Sequence, residues 1–232
     1  MRSIERDILL CMLAACAGSA DGWSYFGLGH AFVANMTGNT VLLGMSVFAT
    51  HDALHPLISL SCYSAGVITG SLLTRNVQPI SGDSPWPRQV SRTLLLEAVL
   101  LLCAEMAWFA SHPSGSPHPS HVLLLGCVAL AIGLQSAAMV QLKIPGIVTT
   151  YITGTWTTLM NGLTRVRTAP PAKKHEFETR LGMQAAVLAV YFFAAVVAGG
   201  LFRYIPTLVG ALPALSVLLV ALYTEMQPLD RK

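Results

Sequence analysis

Two short polar motifs interrupt apolar stretches of this 232-residue sequence: Thr37-Gly38-Asn39-Thr40, with Asn35 just ahead of it, and Thr153-Gly154-Thr155. Hydroxyls and amides beside a glycine are the residue types that line a cavity for a small polar solute or ion. Glycine frees the backbone from helical geometry, and N–H and C=O groups released inside a bilayer need protein or water partners. Asn35, Thr37, Gly38, Asn39, Thr40, Thr153, Gly154 and Thr155 are therefore the expected substrate-binding positions, with Gly38 and Gly154 permitting the breaks. Gln135, in Gly133-Leu134-Gln135-Ser136, adds a further amide. The blander reading of the same residues is structural: Thr and Asn bond helix to helix, and Gly lets them pack closely.

Ionisable groups within apolar sequence are the next candidates, because a charge at membrane depth is costly and points to proton or cation coupling. Asp21 closes the first apolar run in Ala17-Gly18-Ser19-Ala20-Asp21-Gly22 and is the first choice for coupling; Glu105 is the second. Glu97 lies eight residues before Glu105, close to the same helix face, and suits an interfacial or ion-paired position. His51, Asp52, His55, His112, His118 and His121 fall in connections and read as solvated loop residues, with metal capture or pH sensing as the sharper alternative. Cys11, Cys16, Cys62, Cys103 and Cys127 all sit inside apolar runs, so they read as small hydrophobes and not as a disulfide framework. There is no G-x-S-x-G elbow, H-E-x-x-H, Walker loop or dinucleotide fingerprint, and no cofactor is expected.

The elements that must carry these residues follow from composition. The chain is 53% apolar and only 11% charged, against roughly 25% charged in a soluble domain. Too few charges exist to coat a soluble globule, and a net charge of +3 without a basic patch is no footprint for nucleic acid. An all-α integral membrane protein is predicted. Eight apolar segments can be marked: 8–20, 32–49, 57–73, 93–110, 122–140, 147–163, 183–202 and 205–223. Twelve of the fourteen Lys and Arg residues cluster at the two termini and in the connections 75–92 and 165–180, whereas 111–121 has none. Cytoplasmic loops hold the basic residues, so both termini are expected inside and 111–121 outside. That assignment has the right parity only if segments one and two make one net crossing, and five and six likewise. Six net crossings result, each unusual pair being a spanning helix plus a broken or re-entrant element. Leu13-Ala14-Ala15-Cys16 resembles a lipoprotein cleavage box, but Glu5 and Asp7 in the leader and the many later apolar segments speak against it.

The halves also resemble each other. Residues 34–40 match 150–156, and Tyr63 to Arg75 aligns without gaps to Tyr191 to Arg203, with Tyr, Leu and Arg in register. Three net crossings per half make the second copy inverted, an architecture in which transporters bind substrate where helix breaks meet. The expected organisation is a first membrane repeat over 1–110, an external linker over 111–121 and a second repeat over 122–232. Gly66-x-x-x-Gly70 fits a small-residue helix contact, within the chain or in a homo-oligomer.

Ala17-Gly18-x-x-Asp21-Gly22, the stretch Phe32 to Gly44 containing Asn35-Met36-Thr37-Gly38-Asn39-Thr40, Gly133-Leu134-Gln135-Ser136 and Thr149 to Thr155 together resemble the YoaK-like family of bacterial inner-membrane proteins. Ser136 departs from the pattern, where an Asn is expected after the Gln. The resemblance covers nearly the whole chain and implies a polytopic inner-membrane protein, while supplying no substrate. The residues themselves point to a secondary transporter of a small solute or ion, possible proton coupling included, with lipids as its surroundings. A channel of the same build and an intramembrane enzyme acting on a lipid-like substrate are the alternatives.

Overall fold

The computed structural model describes residues 3–48, 52–77, 86–111, 120–142, 152–166 and 170–226. Within them run eight α-helices: α1 (Ser3–Gly27), α2 (Met36–Met45), α3 (Leu54–Leu73), α4 (Arg88–Ser111), α5 (Ser120–Leu142), α6 (Ile152–Val166), α7 (Pro171–Tyr204) and α8 (Ala211–Glu225). A helix rises 1.5 Å per residue, so the ten residues of α2 cover about 15 Å and the fifteen of α6 about 22 Å, both short of a hydrocarbon core about 30 Å thick. The other six are long and apolar enough to cross a membrane, the fifteen residues of α8 being extended to a twenty-residue span, Pro206–Glu225, by the 3-10 turn Pro206–Leu208 ahead of it. The described residues are thus all-helical with six candidate spans, and α2 and α6 are the two helices that belong to none of them.

Local chemistry explains where several helices begin. Pro56, Pro171 and Pro213 stand in the first turns of α3, α7 and α8, where a missing N–H leaves no bond unmade. The Asp52 carboxylate accepts the Leu54 N–H at 2.8 Å ahead of α3, and Asn35 caps α2 by accepting the Gly38 N–H at 3.2 Å. Between α1 and α2 the chain reverses through Gly29 and His30, at φ +105° and +58°. The turn therefore rests on Gly29, a left-handed position that side chains resist. Gly38 and Gly154 lie in the opening turns of α2 and α6 with helical dihedrals, so they do not make the breaks expected of them.

Packing is built on α1 and α5, the most buried of the spanning helices. Helix α1 packs along α7 and α8, and α5 along α3 and α4; α4 meets α8, while α2 rests on α3 and α6 on α7. Exchanging α1–α4 for α5–α8 leaves this set of pairings unchanged. Small residues set the closest approaches. A Cβ on Gly18 would strike the backbone carbonyl of Tyr191, and one on Gly133 the carbonyl of Tyr63. Gly66 and Gly70 close against Leu130 and Leu134 of α5, so the Gly66-x-x-x-Gly70 motif joins two helices of one chain. With lipid tails as apolar as leucine, such van der Waals contact and interhelical hydrogen bonds supply the association energy. The cysteines are free thiols.

Asp21 lies inside α1, six residues before its end, because the helix continues past it to Gly27. The first apolar run of the sequence ends at Ala20, whereas the helix does not. The carboxylate stays within the protein since backbone and side-chain donors surround it there.

Candidate functional site

A cavity of about 370 Å³ opens where the starts of the two short helices meet the tyrosines of two spanning helices. Asn35, Met36 and Thr37 line it from the start of α2, Ile152 and Thr153 from the start of α6. Tyr63 of α3, Tyr191 of α7, and Ser136 and Val140 of α5 complete most of its wall. Each tyrosine is delivered by one of the glycine contacts. Gly18 lets the α7 backbone touch α1 at Tyr191, and one turn further along α1 the Tyr191 hydroxyl donates to Asp21 Oδ2. Gly133 does the same for Tyr63, whose hydroxyl donates to Ser136 Oγ at 2.8 Å.

Asp21 does not line the cavity. Its Oδ1 accepts the backbone N–H groups of Val33 and Ala34 at 2.8 and 2.7 Å, and Oδ2 accepts the Tyr191 hydroxyl. Hydrogen bonds of this charge-assisted kind are about twice as strong as neutral ones. They tie the turn after α1 to α1 itself and fix where α2 begins. Asp21 therefore reaches the cavity through one intermediary, the Tyr191 phenol.

The other sequence-predicted residues divide. Asn35, Thr37 and Thr153 face the cavity. Asn39 is fully buried and fully engaged: Oδ1 accepts the Phe32 N–H at 2.9 Å, and Nδ2 donates to the Phe32 carbonyl at 2.6 Å and to Ser59 Oγ at 3.0 Å. It clasps the chain leading into α2 against α3. Gly38 packs under the Phe32 ring, where an added Cβ would stand 2.9 Å from Cδ2. Thr40 is exposed and bonds back to the Met36 carbonyl at 2.9 Å. In the second half Thr155 is buried, Gly154 sits in the first turn of α6, and both carbonyls accept from Thr158 Oγ1. Gln135 is buried between α5 and α1, its amide donating to the Leu13 carbonyl at 3.1 Å, outside the cavity lining.

Glu105 is likewise distant from the lining. Its carboxylate lies against Gly210 at the start of α8, where an added Cβ would run into Oε2 and a helix terminus favours negative charge. Glu97 is buried against the Cys16 thiol, 3.5 Å away. His55 pairs with Asp52, and the His121 ring lies 5.3 Å from that of Trp108. His51, His112 and His118 lie outside the described residues, as do Thr149, Thr150 and Tyr151. Among the described residues no three His, Cys, Asp or Glu side chains gather as a metal site would need.

Tyr63, Tyr191 and Ser136 are the cavity residues that motif reading missed. Their signal was present, since both tyrosines sit at the same register of the internal match, but in an apolar stretch a tyrosine reads as core.

The chain matches, over residues 9–224, the family described as proteins of unknown function DUF1275. It belongs to that family. It is 30% identical over 198 residues to the UPF0700 transmembrane protein YoaK of Bacillus subtilis (strain 168), covering 83% of this chain and 82% of that protein. No solved structure matches. For this DUF1275 chain the match spans α1 to α8 almost entirely, so the cavity and both short helices fall within the family's own extent.

Proposed function

We propose that this protein is a secondary transporter that moves a small solute or ion through the cavity between α2 and α6. The observation that carries the reading is the cavity itself. It is bounded by the starts of two helices too short to span, and it is walled by hydroxyl groups from both halves of the chain. Irregular backbone at membrane depth is tolerated where it lines a cavity, and discontinuous helices meeting at a midplane site recur in transporters. The two halves act as inverted copies, with the exchangeable helix pairings and the paired bonds Tyr191–Asp21 and Tyr63–Ser136 in support. Asn35, Thr37 and Thr153 contact the solute. Asp21 couples, where coupling occurs, through Tyr191. The clustering of basic residues supports a bacterial inner-membrane protein with both termini in the cytoplasm.

The test is uptake by sealed proteoliposomes of the full chain against a panel of small anions, cations, amino acids and metabolites, with and without an imposed pH gradient. We expect saturable flux that falls roughly tenfold in Thr37→Val and Thr153→Val, the effect of losing about one substrate hydrogen bond. Tyr191→Phe should uncouple flux from the pH gradient while the protein remains folded. Flux that never saturates would replace the transporter with a channel. An intact protein that moves nothing in the panel, yet turns over a lipid-like compound, would replace it with an enzyme.

A further inference from the structure

Helix α6 joins two hollows. Its first turn gives Ile152 and Thr153 to the central cavity of about 370 Å³, and its later turns give Thr158 and Asn161 to a second one, of about 320 Å³, shared with α7. We infer that the exposed polar flank of α6, running through Thr153, Thr157 and Asn161, is a water-filled path for the solute. It leads from the central cavity to the side of the membrane on which α6 ends and the basic connection 165–180 lies. The inference rests on the reading of the central cavity as the solute site, and it adds the route by which that site is reached.

Helix α6 has three kinds of surface. It packs on α7 through a strip holding Thr155 and Leu159, both buried, and Gly162, where a Cβ would run into Leu181. Trp156, Met160 and Leu163 are exposed on one side of that strip, as lipid requires. Thr153, Thr157, Asn161 and Thr164 are exposed on the other. Spacings of four residues keep 153, 157 and 161 on one helix face. The threonines alone do not decide what covers that face. Thr157 and Thr158 return their hydroxyls to the carbonyls of Thr153 and Gly154, at 3.0 and 2.8 Å, which satisfies them in lipid as well as in water. Asn161 decides it, because its exposed side-chain amide has no hydrogen-bond partner among the described residues. It stands eight residues past Thr153, about 12 Å along the axis, whereas a site at the midplane is about 15 Å from either edge of the hydrocarbon core. An unpaired amide at that depth is costly in lipid and is satisfied by water.

The corresponding flank of α2 is apolar. Continuing the match of residues 34–40 with 150–156 without a gap sets Val41 opposite Thr157 and Met45 opposite Asn161. Both are exposed, so lipid meets α2 where water meets α6. Elsewhere the two short helices agree. Thr37 and Thr153 both line the central cavity, and Asn39 and Thr155, at matching positions, are both buried. The polar flank therefore belongs to α6 and not to short helices of this build in general. A second copy of the chain bonding to the same flank would also satisfy Asn161. Such an interface has no need of a polar face that runs unbroken from a residue of one cavity to a residue of the next.

Thiol labelling from one side at a time tests the path, using the full chain with its own five cysteines replaced. Membrane vesicles sealed in each orientation carry Thr153→Cys, Thr157→Cys, Asn161→Cys, Met160→Cys, Met45→Cys or Lys174→Cys singly, and receive a membrane-impermeant maleimide. Monodisperse elution after extraction keeps misfolded variants out of the comparison. Lys174, exposed early in α7, reports the side of the basic connection. Positions 153, 157 and 161 should react from that side about tenfold faster or more than 160 and 45, because the thiolate, the reactive form, is excluded from lipid. A reactive 153 beside inert 157 and 161 overturns the path and leaves the transport reading standing. If 153 is inert as well, both fall. Equal rates at 45 and 161, or labelling of 157 and 161 only from the side opposite Lys174, overturn the path. So does mild oxidation that links two Asn161→Cys chains while the maleimide fails to react, since a second copy then covers the flank.

Discussion

The contact of α1 with α7 and that of α5 with α3 are built alike and finished differently. In each, a glycine (Gly18 or Gly133) lets a helix backbone touch the carbonyl of a tyrosine on its partner. In each, the tyrosine hydroxyl then donates to a polar residue three positions beyond that glycine. On one side that residue is Asp21, which also accepts the Val33 and Ala34 N–H groups; on the other it is Ser136. Common geometry with different chemistry separates what positions the cavity from what distinguishes its two sides. The glycine contacts and tyrosines hold the walls. The carboxylate stands behind one wall, where it holds Tyr191 and the turn preceding α2.

The comparison breaks most sharply at the polar residues. Asp21→Ala strands two backbone donors and a phenol in the interior, each at about 1–3 kcal/mol, so a loss of roughly 3 kcal/mol or more is expected. Ser136→Ala removes one acceptor of a neutral bond and should cost about 1 kcal/mol. Reversible unfolding in mixed detergent micelles measures both; equal losses would mean that Asp21 is no structural centre.

Adding a methyl group to the glycines tests the likeness instead. Gly18→Ala and Gly133→Ala each overpack a backbone contact and should cost about 1–3 kcal/mol apiece, by similar amounts. A large loss at one and none at the other would end the correspondence between the halves. The tyrosines give the finest discrimination. Tyr191→Phe removes a bond to a carboxylate, worth about 1.5–3 kcal/mol, and Tyr63→Phe a neutral one worth about 1 kcal/mol. The order of the two, read in the same unfolding assay, is the prediction; its reversal would place the charge elsewhere.

Much of this arrangement is legible without coordinates, and the boundary has physical causes. Hydropathy and basic residues together identify six spans and two short elements, because length in a bilayer and positive charge at its inner face act on stretches of sequence and not on single contacts. Thr37 and Thr153 are legible as cavity residues since hydroxyls in an apolar run need a partner. Asn39 is not: whether its amide faces a solute or the backbone of Phe32 depends on a turn made nine and ten residues earlier, at His30 and Gly29. Gln135 reads as a ligand for the same reason and is spent on the Leu13 carbonyl. Tyr63 and Tyr191 are hidden by their own apolar rings, and only the meeting of α3 with α5 and of α7 with α1 brings their hydroxyls to the cavity.

The central claim is that the starts of α2 and α6 share one water-filled cavity at membrane depth. Thiol labelling tests it most directly, with Thr37→Cys, Thr153→Cys and Ile68→Cys placed singly in a protein whose own five cysteines are replaced. Ile68 is 62% exposed on the spanning helix α3 and serves as the lipid-facing reference. With a membrane-impermeant maleimide presented to both sides of the membrane, positions 37 and 153 should react and position 68 should stay inert. If 37 and 153 are as unreactive as 68 in folded protein, the cavity is dry and the transport reading is contradicted.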